Sequence, residues 1–62
     1  MKKGLILRTS SEEVGIVWDK LKPINLNGIN QYSLFLVDEN YDETGKCLLV
    51  NIKSCKRIGI VE

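Results

Sequence analysis

Ser10-Ser11-Glu12-Glu13-Val14-Gly15-Ile16-Val17-Trp18-Asp19-Lys20-Leu21-Lys22-Pro23 is the stretch whose reading decides the fold. It has several marks of a helix. Ser10 and Glu13 stand at capping-box spacing, and Val14, Val17, Trp18 and Leu21 recur at i, i+3, i+4 and i+7. Lys20 and Lys22 would suit a helix C-terminus, and Pro23 would stop the helix. The residue types argue the other way. Gly15 and three β-branched residues would occupy the helix interior, where glycine costs roughly 1 kcal/mol relative to alanine and each β-branched residue a few tenths more. As a strand, Val14, Ile16 and Trp18 share one face, and Gly15 marks a bulge or a close approach of another chain segment. The balance falls to the strand.

Working outward, composition points the same way. The chain has no alanine but has five valines and seven isoleucines. Alanine is the strongest helix former, and β-branched residues suit a pleated surface. Gly4-Leu5-Ile6-Leu7-Arg8 reads as a first strand, followed by a polar turn over residues 9–13. Tyr32-Ser33-Leu34-Phe35-Leu36-Val37 is apolar on both faces and reads as a central strand. Residues 38–45 have the composition of a hairpin loop ending in glycine. From Lys46 to Ile52 the pattern alternates, with Leu48, Val50 and Ile52 on one side. Lys53-Ser54-Cys55-Lys56 reads as a tight turn or one turn of 3₁₀ helix, and Ile58-Gly59-Ile60-Val61 as a last strand. Asn25-Leu26-Asn27-Gly28-Ile29-Asn30 reads as the longest loop. The expected architecture is all-β, a small five-stranded open barrel. Its strands lie at 4–8, 14–18, 32–37, 46–52 and 58–61, with one 3₁₀ turn before the last. The alternative is α+β, with a helix at about 11–22 packed on a four-stranded sheet.

Sixty-two residues make a single small domain over 1–62. A chain of this size buries only about 60% of its unfolded surface, which leaves a thin core. A deep catalytic cleft has little room, and no enzyme activity or cofactor is expected. Histidine is absent, which removes the commonest general base and transition-metal ligand. Two cysteines alone cannot complete a structural zinc site, so no metal is expected. Apolar runs do not exceed four residues, as in Leu34-Phe35-Leu36-Val37, against the roughly 20 that span a bilayer. After Met1-Lys2-Lys3 only Leu5-Ile6-Leu7 precede Arg8, which is too short for a signal-peptide core. A cytoplasmic protein with reduced thiols and no membrane attachment is the expectation.

With residues 14–18 as a strand, the order of short strands resembles the small barrels of the Src-homology-3-like class. Three features carry the resemblance. Glu13-Val14-Gly15-Ile16-Val17 follows a polar loop, and Asp42-Glu43-Thr44-Gly45-Lys46 looks like a distal-type hairpin. Lys53-Ser54-Cys55-Lys56 looks like the helical turn before the closing strand. The resemblance implies a binding module. It does not imply a proline-rich ligand, because the proline-binding signature of the peptide-binding members is missing. With a helix instead, the N-terminal half is similar to DsrE-type sulfur-relay proteins. The matching residues are Leu5 to Leu7, Ser10 to Glu13, Trp18 and Leu34 to Val37, with Cys55-Lys56-Arg57-Ile58-Gly59-Ile60 at the place of a persulfide-carrying cysteine. That second resemblance implies sulfur transfer by Cys55.

Few residues can carry chemistry. Cys47 and Cys55 fit neither a CxxC redox motif nor a metal knuckle, and small buried positions are the simplest reading of both. Lys53, Lys56 and Arg57 near Cys55 would lower its pKa if it were a nucleophile. Trp18, Tyr32, Phe35 and Tyr41 are the only aromatics. Trp18 and Phe35 are expected to supply core area, and Tyr41 to be exposed in the acidic turn. The competing use is a binding face of Trp18 and Tyr32 flanked by Lys53, Lys56 and Arg57. Charge is segregated although the net is only +1. Asp38, Glu39, Asp42 and Glu43 crowd one stretch, and Lys46, Lys53, Lys56 and Arg57 follow. In solvated turns such carboxylates have no source of a raised pKa, so no acid–base pair is expected there. The leading expectation is a non-catalytic adaptor for a protein partner. Nucleic acid is a weaker second partner, because aromatics and basic side chains would suit it but the acidic turn would repel its backbone. Homo-oligomers formed through an exposed strand edge are a further expectation for so thin a core.

Overall fold

The computed structural model describes residues 3–62. Six strands and one 3₁₀ turn follow in order. They are β1 (Gly4–Arg8), β2 (Val14–Trp18), β3 (Ile24–Leu26), β4 (Ile29–Val37), β5 (Glu43–Val50), the 3₁₀ turn (Ile52–Ser54) and β6 (Lys56–Val61). Among the described residues there is no α-helix, so the protein is all-β and the helix considered for 11–22 is not formed. The physical reason lies in how β2 uses both of its faces. Val17 joins Leu7 and Leu34 in the buried core, while Ile16, only 4% exposed, points to the opposite side. A helix would have left Ile16 off its apolar stripe. Gly15 is the close approach that its position suggested. A Cβ there would stand 2.7 Å from both Leu34 Cγ and the Phe35 carbonyl oxygen.

The strand count is six rather than five, and the correction lies in residues 24–31. What reads as a loop is a β-hairpin, with Ile24 opposite Gln31, Asn25 opposite Asn30 and Leu26 opposite Ile29. Asn27 (φ 52°) and Gly28 (φ 82°) form its turn. Two successive positive φ values are the type I′ signature, for which Asn-Gly is the preferred pair. Asn25 fixes the register, since its amide donates to Asn30 Oδ1 at 3.0 Å and its own Oδ1 accepts from the Gly28 N–H at 3.2 Å. The central strand therefore begins at Ile29, three residues earlier than its apolar run suggested.

All strand pairs are antiparallel, in the order β3–β4–β2–β1–β6, with β5 also on β4. The β2–β4 pairing covers only Gly15–Leu36 and Ile16–Phe35. This short seam joins a β6–β1–β2 half to a half built on β4. The β4–β5 pairing is bulged, because Phe35 lies opposite Cys47 but Val37 lies opposite Glu43. Gly45, at φ 89°, sits within the bulge. Among the described residues β5 and β6 each pair on one side only, so the sheet is not closed into a barrel.

Leu7, Val17 and Leu34 form the buried cluster, with Leu5, Tyr32, Leu36, Val50, Ile52 and Cys55 packed against it. The 3₁₀ turn delivers the last two. Asn51 caps it by accepting from the Lys53 N–H at 3.0 Å, and the Cys55 N–H closes it onto the Ile52 carbonyl at 3.0 Å. Alternation along the strands puts Ile6, Ile16, Trp18 and Phe35 on the opposite face. The glycines confirm the arrangement, since a Cβ on Gly4 would meet Ile16 and Trp18, and one on Gly59 would meet Ile6.

Candidate functional site

Trp18 and Phe35 do not join the buried core cluster. Both are half-buried, and they line a groove of about 330 Å³ together with Leu21, Lys3, Lys20 and Glu43. Each element brings one part. The end of β2 supplies Trp18, whose ring lies over Gly4. The middle of β4 supplies Phe35, and the start of β5 supplies Glu43. The turn after β2 supplies Lys20 and Leu21, closed by the Leu21 N–H on the Trp18 carbonyl at 3.1 Å. The Trp18 indole Nε1–H donates to Glu43 Oε2 at 2.8 Å. This bond holds the ring across the groove and engages the only carboxylate in the lining. Leu21 remains 43% exposed. The groove is thus an apolar trough of two aromatic rings and a leucine, with lysine at its rim.

The other residues expected in a binding face are dispersed. Tyr32 and Lys53 meet in a second groove of about 410 Å³, shared with Asn30, Asn51 and Ile52. The Tyr32 ring also packs against the core. Lys56 and Arg57 lie exposed on β6 and line neither groove. Lys56 stands directly opposite Arg8, and Arg57 opposite Leu7. The structure therefore separates Trp18 from Tyr32 and Lys53, and both from the β6 cations. Sequence reading missed Lys3, Lys20, Leu21 and Glu43 as neighbours of Trp18. Glu43 is 25 residues from Trp18, and no local pattern signals the pairing.

Four of the eight acidic residues share one groove. Glu12 and Glu13 from the β1–β2 turn meet Asp38 and Glu39 from the β4–β5 turn beside Val14, Leu36, Val37, Thr44 and Lys46. The β4–β5 turn is tightly built. Asp38 Oδ1 accepts from the Asn40 N–H at 2.8 Å and the Asp42 N–H at 3.1 Å, and the Tyr41 N–H donates to the Asp38 carbonyl at 3.0 Å. Tyr41, at φ 63°, is 56% exposed. Such a backbone conformation is uncommon for a bulky residue.

Neither thiol is in a disulfide. Cys47 is exposed on β5, while Cys55 is half-buried against the core. Burial pushes the Cys55 thiol above its usual pKa, the opposite of what an activated nucleophile needs. Among the described residues no group of three or more acidic or cysteine side chains is arranged to hold a metal ion. No helix among them is long and apolar enough to cross a membrane. Compared with known proteins, the chain matches no family model, no curated protein and no solved structure.

Proposed function

We propose that the chain is a small non-catalytic binding module of the cytoplasm that holds a segment of a protein partner in the Trp18 groove. The observation that carries this reading is the trough of Trp18, Phe35 and Leu21, concave and partly exposed among the described residues of a domain whose core is otherwise small. Half-exposed aromatics in a concave, mostly apolar site are the usual anchors of recognition. Lys3 and Lys20 at the rim favour a bulky apolar side chain flanked by acidic residues. The strand order β6–β1–β2–β4–β5, with a 3₁₀ turn before β6, supports an open barrel of the Src-homology-3-like kind to which the β3–β4 hairpin is added. The unpaired thiols are in keeping with a reducing compartment.

Peptide selection on the immobilised chain tests the reading, followed by titration monitored by Trp18 emission. Trp18 is the only tryptophan, so its emission reports on the groove itself. Selected peptides should combine a bulky apolar residue with flanking acids. Leu21→Glu, which places a carboxylate in the trough, should weaken them tenfold or more. Peptides that bind the Leu21→Glu variant unchanged, or none that moves the emission, would refute the groove.

A further inference from the structure

The molecule itself carries a segment of the chemistry the groove favours. The β4–β5 turn presents Tyr41, more than half exposed, with Asp38, Glu39 and Asp42 next to it in the chain, the first two also lining the groove of Val14 and Leu36. Asp38 accepts from two N–H groups of this turn and fixes its shape. A segment held in its bound shape loses less conformational entropy on docking. The groove offers the complement, with Trp18, Phe35 and Leu21 for an aromatic ring and Lys3 and Lys20 for the acids. Turn and groove are close along the chain, because Glu43, which lines the groove and holds the Trp18 indole, is two residues beyond Tyr41. A surface patch that carries both a plug and its socket is self-complementary, which is the requirement for two copies related by a two-fold axis.

We propose that the chain forms a two-fold dimer in which the Tyr41 turn of each copy occupies the Trp18 groove of the other. The proposal rests on the groove reading given above and names its occupant as a second copy of this chain. Exchange across the axis makes two identical contacts, so the assembly closes at two copies and does not extend into a filament. The opposed charges of turn and rim set the orientation, and salt weakens the contact because both sets are exposed.

Sedimentation equilibrium of the full chain over a range of concentrations tests the proposal, with Trp18 emission recorded on the same samples. A monomer–dimer equilibrium is expected, with an emission shift on dilution and weaker association at high salt. Tyr41→Ala should raise the dissociation constant at least tenfold while leaving the circular dichroism spectrum unchanged. Lys20→Glu and Asp42→Lys should each weaken the dimer, and their equimolar mixture should restore it, since each variant's groove then meets an opposite charge. A chain that is monomeric throughout overturns the proposal, and the peptide titration still decides the groove separately. A dimer indifferent to Tyr41→Ala but lost in Leu26→Asp also overturns it, and would place the contact on the β3–β4 hairpin.

Discussion

Gly15 is where the seam between the two halves of the sheet is most sensitive, and Gly15→Ala is the substitution that probes it. The added Cβ would stand 2.7 Å from Leu34 Cγ and equally close to the Phe35 carbonyl oxygen. Leu34 is fully buried and the carbonyl belongs to the backbone of β4, so neither can move aside cheaply. Overpacking of this kind costs about 1–3 kcal/mol. The strain also falls on one of only two paired positions joining β2 to β4, which argues for the upper part of that range. At about 4–8 °C per kcal/mol for a domain of this size, a loss of about 3 kcal/mol lowers Tm by roughly 12–24 °C. Gly59→Ala is the control, because its nearest contact is the tip of the Ile6 side chain at 3.2 Å. That tip can swing, and the alanine restricts the unfolded chain by about 0.4–1 kcal/mol in compensation, so the net change should be small. Urea unfolding followed by Trp18 emission, with thermal melts by circular dichroism, measures both variants. A Gly15→Ala protein as stable as wild type, or less affected than Gly59→Ala, would refute the close packing of β2 on β4.

Two further perturbations test other parts of the molecule. Glu43→Ala removes the acceptor of the Trp18 indole N–H; because the bond is exposed, the loss should be modest, about 1 kcal/mol. Trp18 emission should shift with it, whereas Glu43→Gln retains an acceptor oxygen and should fall between, and unchanged emission in Glu43→Ala would contradict the bond. Iodoacetamide should alkylate exposed Cys47 ahead of half-buried Cys55 at neutral pH, as read by mass spectrometry of the digested chain. Because burial raises the Cys55 pKa in the folded state, the fold retains that proton more tightly than the unfolded chain does. Its contribution is therefore whole below the ordinary thiol range and is lost as pH rises through the raised value. Denaturation midpoints should decline over that alkaline interval in wild type and less in Cys55→Ser, and an equal decline in both would count against the assignment.

What the amino-acid sequence determined by itself is the local part of the molecule. β-branched residues and the lack of alanine favour strands, Gly15 in the middle of Val14–Trp18 marks a close approach, and the polar stretch before β2 and residues 38–42 after β4 become turns, whereas 43–45, read as loop, open β5. The Asn27-Gly28 hairpin also belongs to this local part. Its signal was present in two adjacent residues, but the flanking asparagines hid it because they look like loop composition. The site is another matter. Periodicity puts Ile16 and Trp18 on one face of a strand but does not say which face the core will cover. Only the tertiary packing puts that face opposite the Leu7, Val17 and Leu34 cluster, burying Ile16 there and leaving Trp18 half-exposed. The pairing of Trp18 with Glu43 and the rim of Lys3 and Lys20 exist because β2, β4, β5 and the turn after β2 converge. Local conformational preference acts over a few residues, whereas the groove depends on which distant surfaces hydrophobic burial brings together, and that choice is made by the whole chain at once.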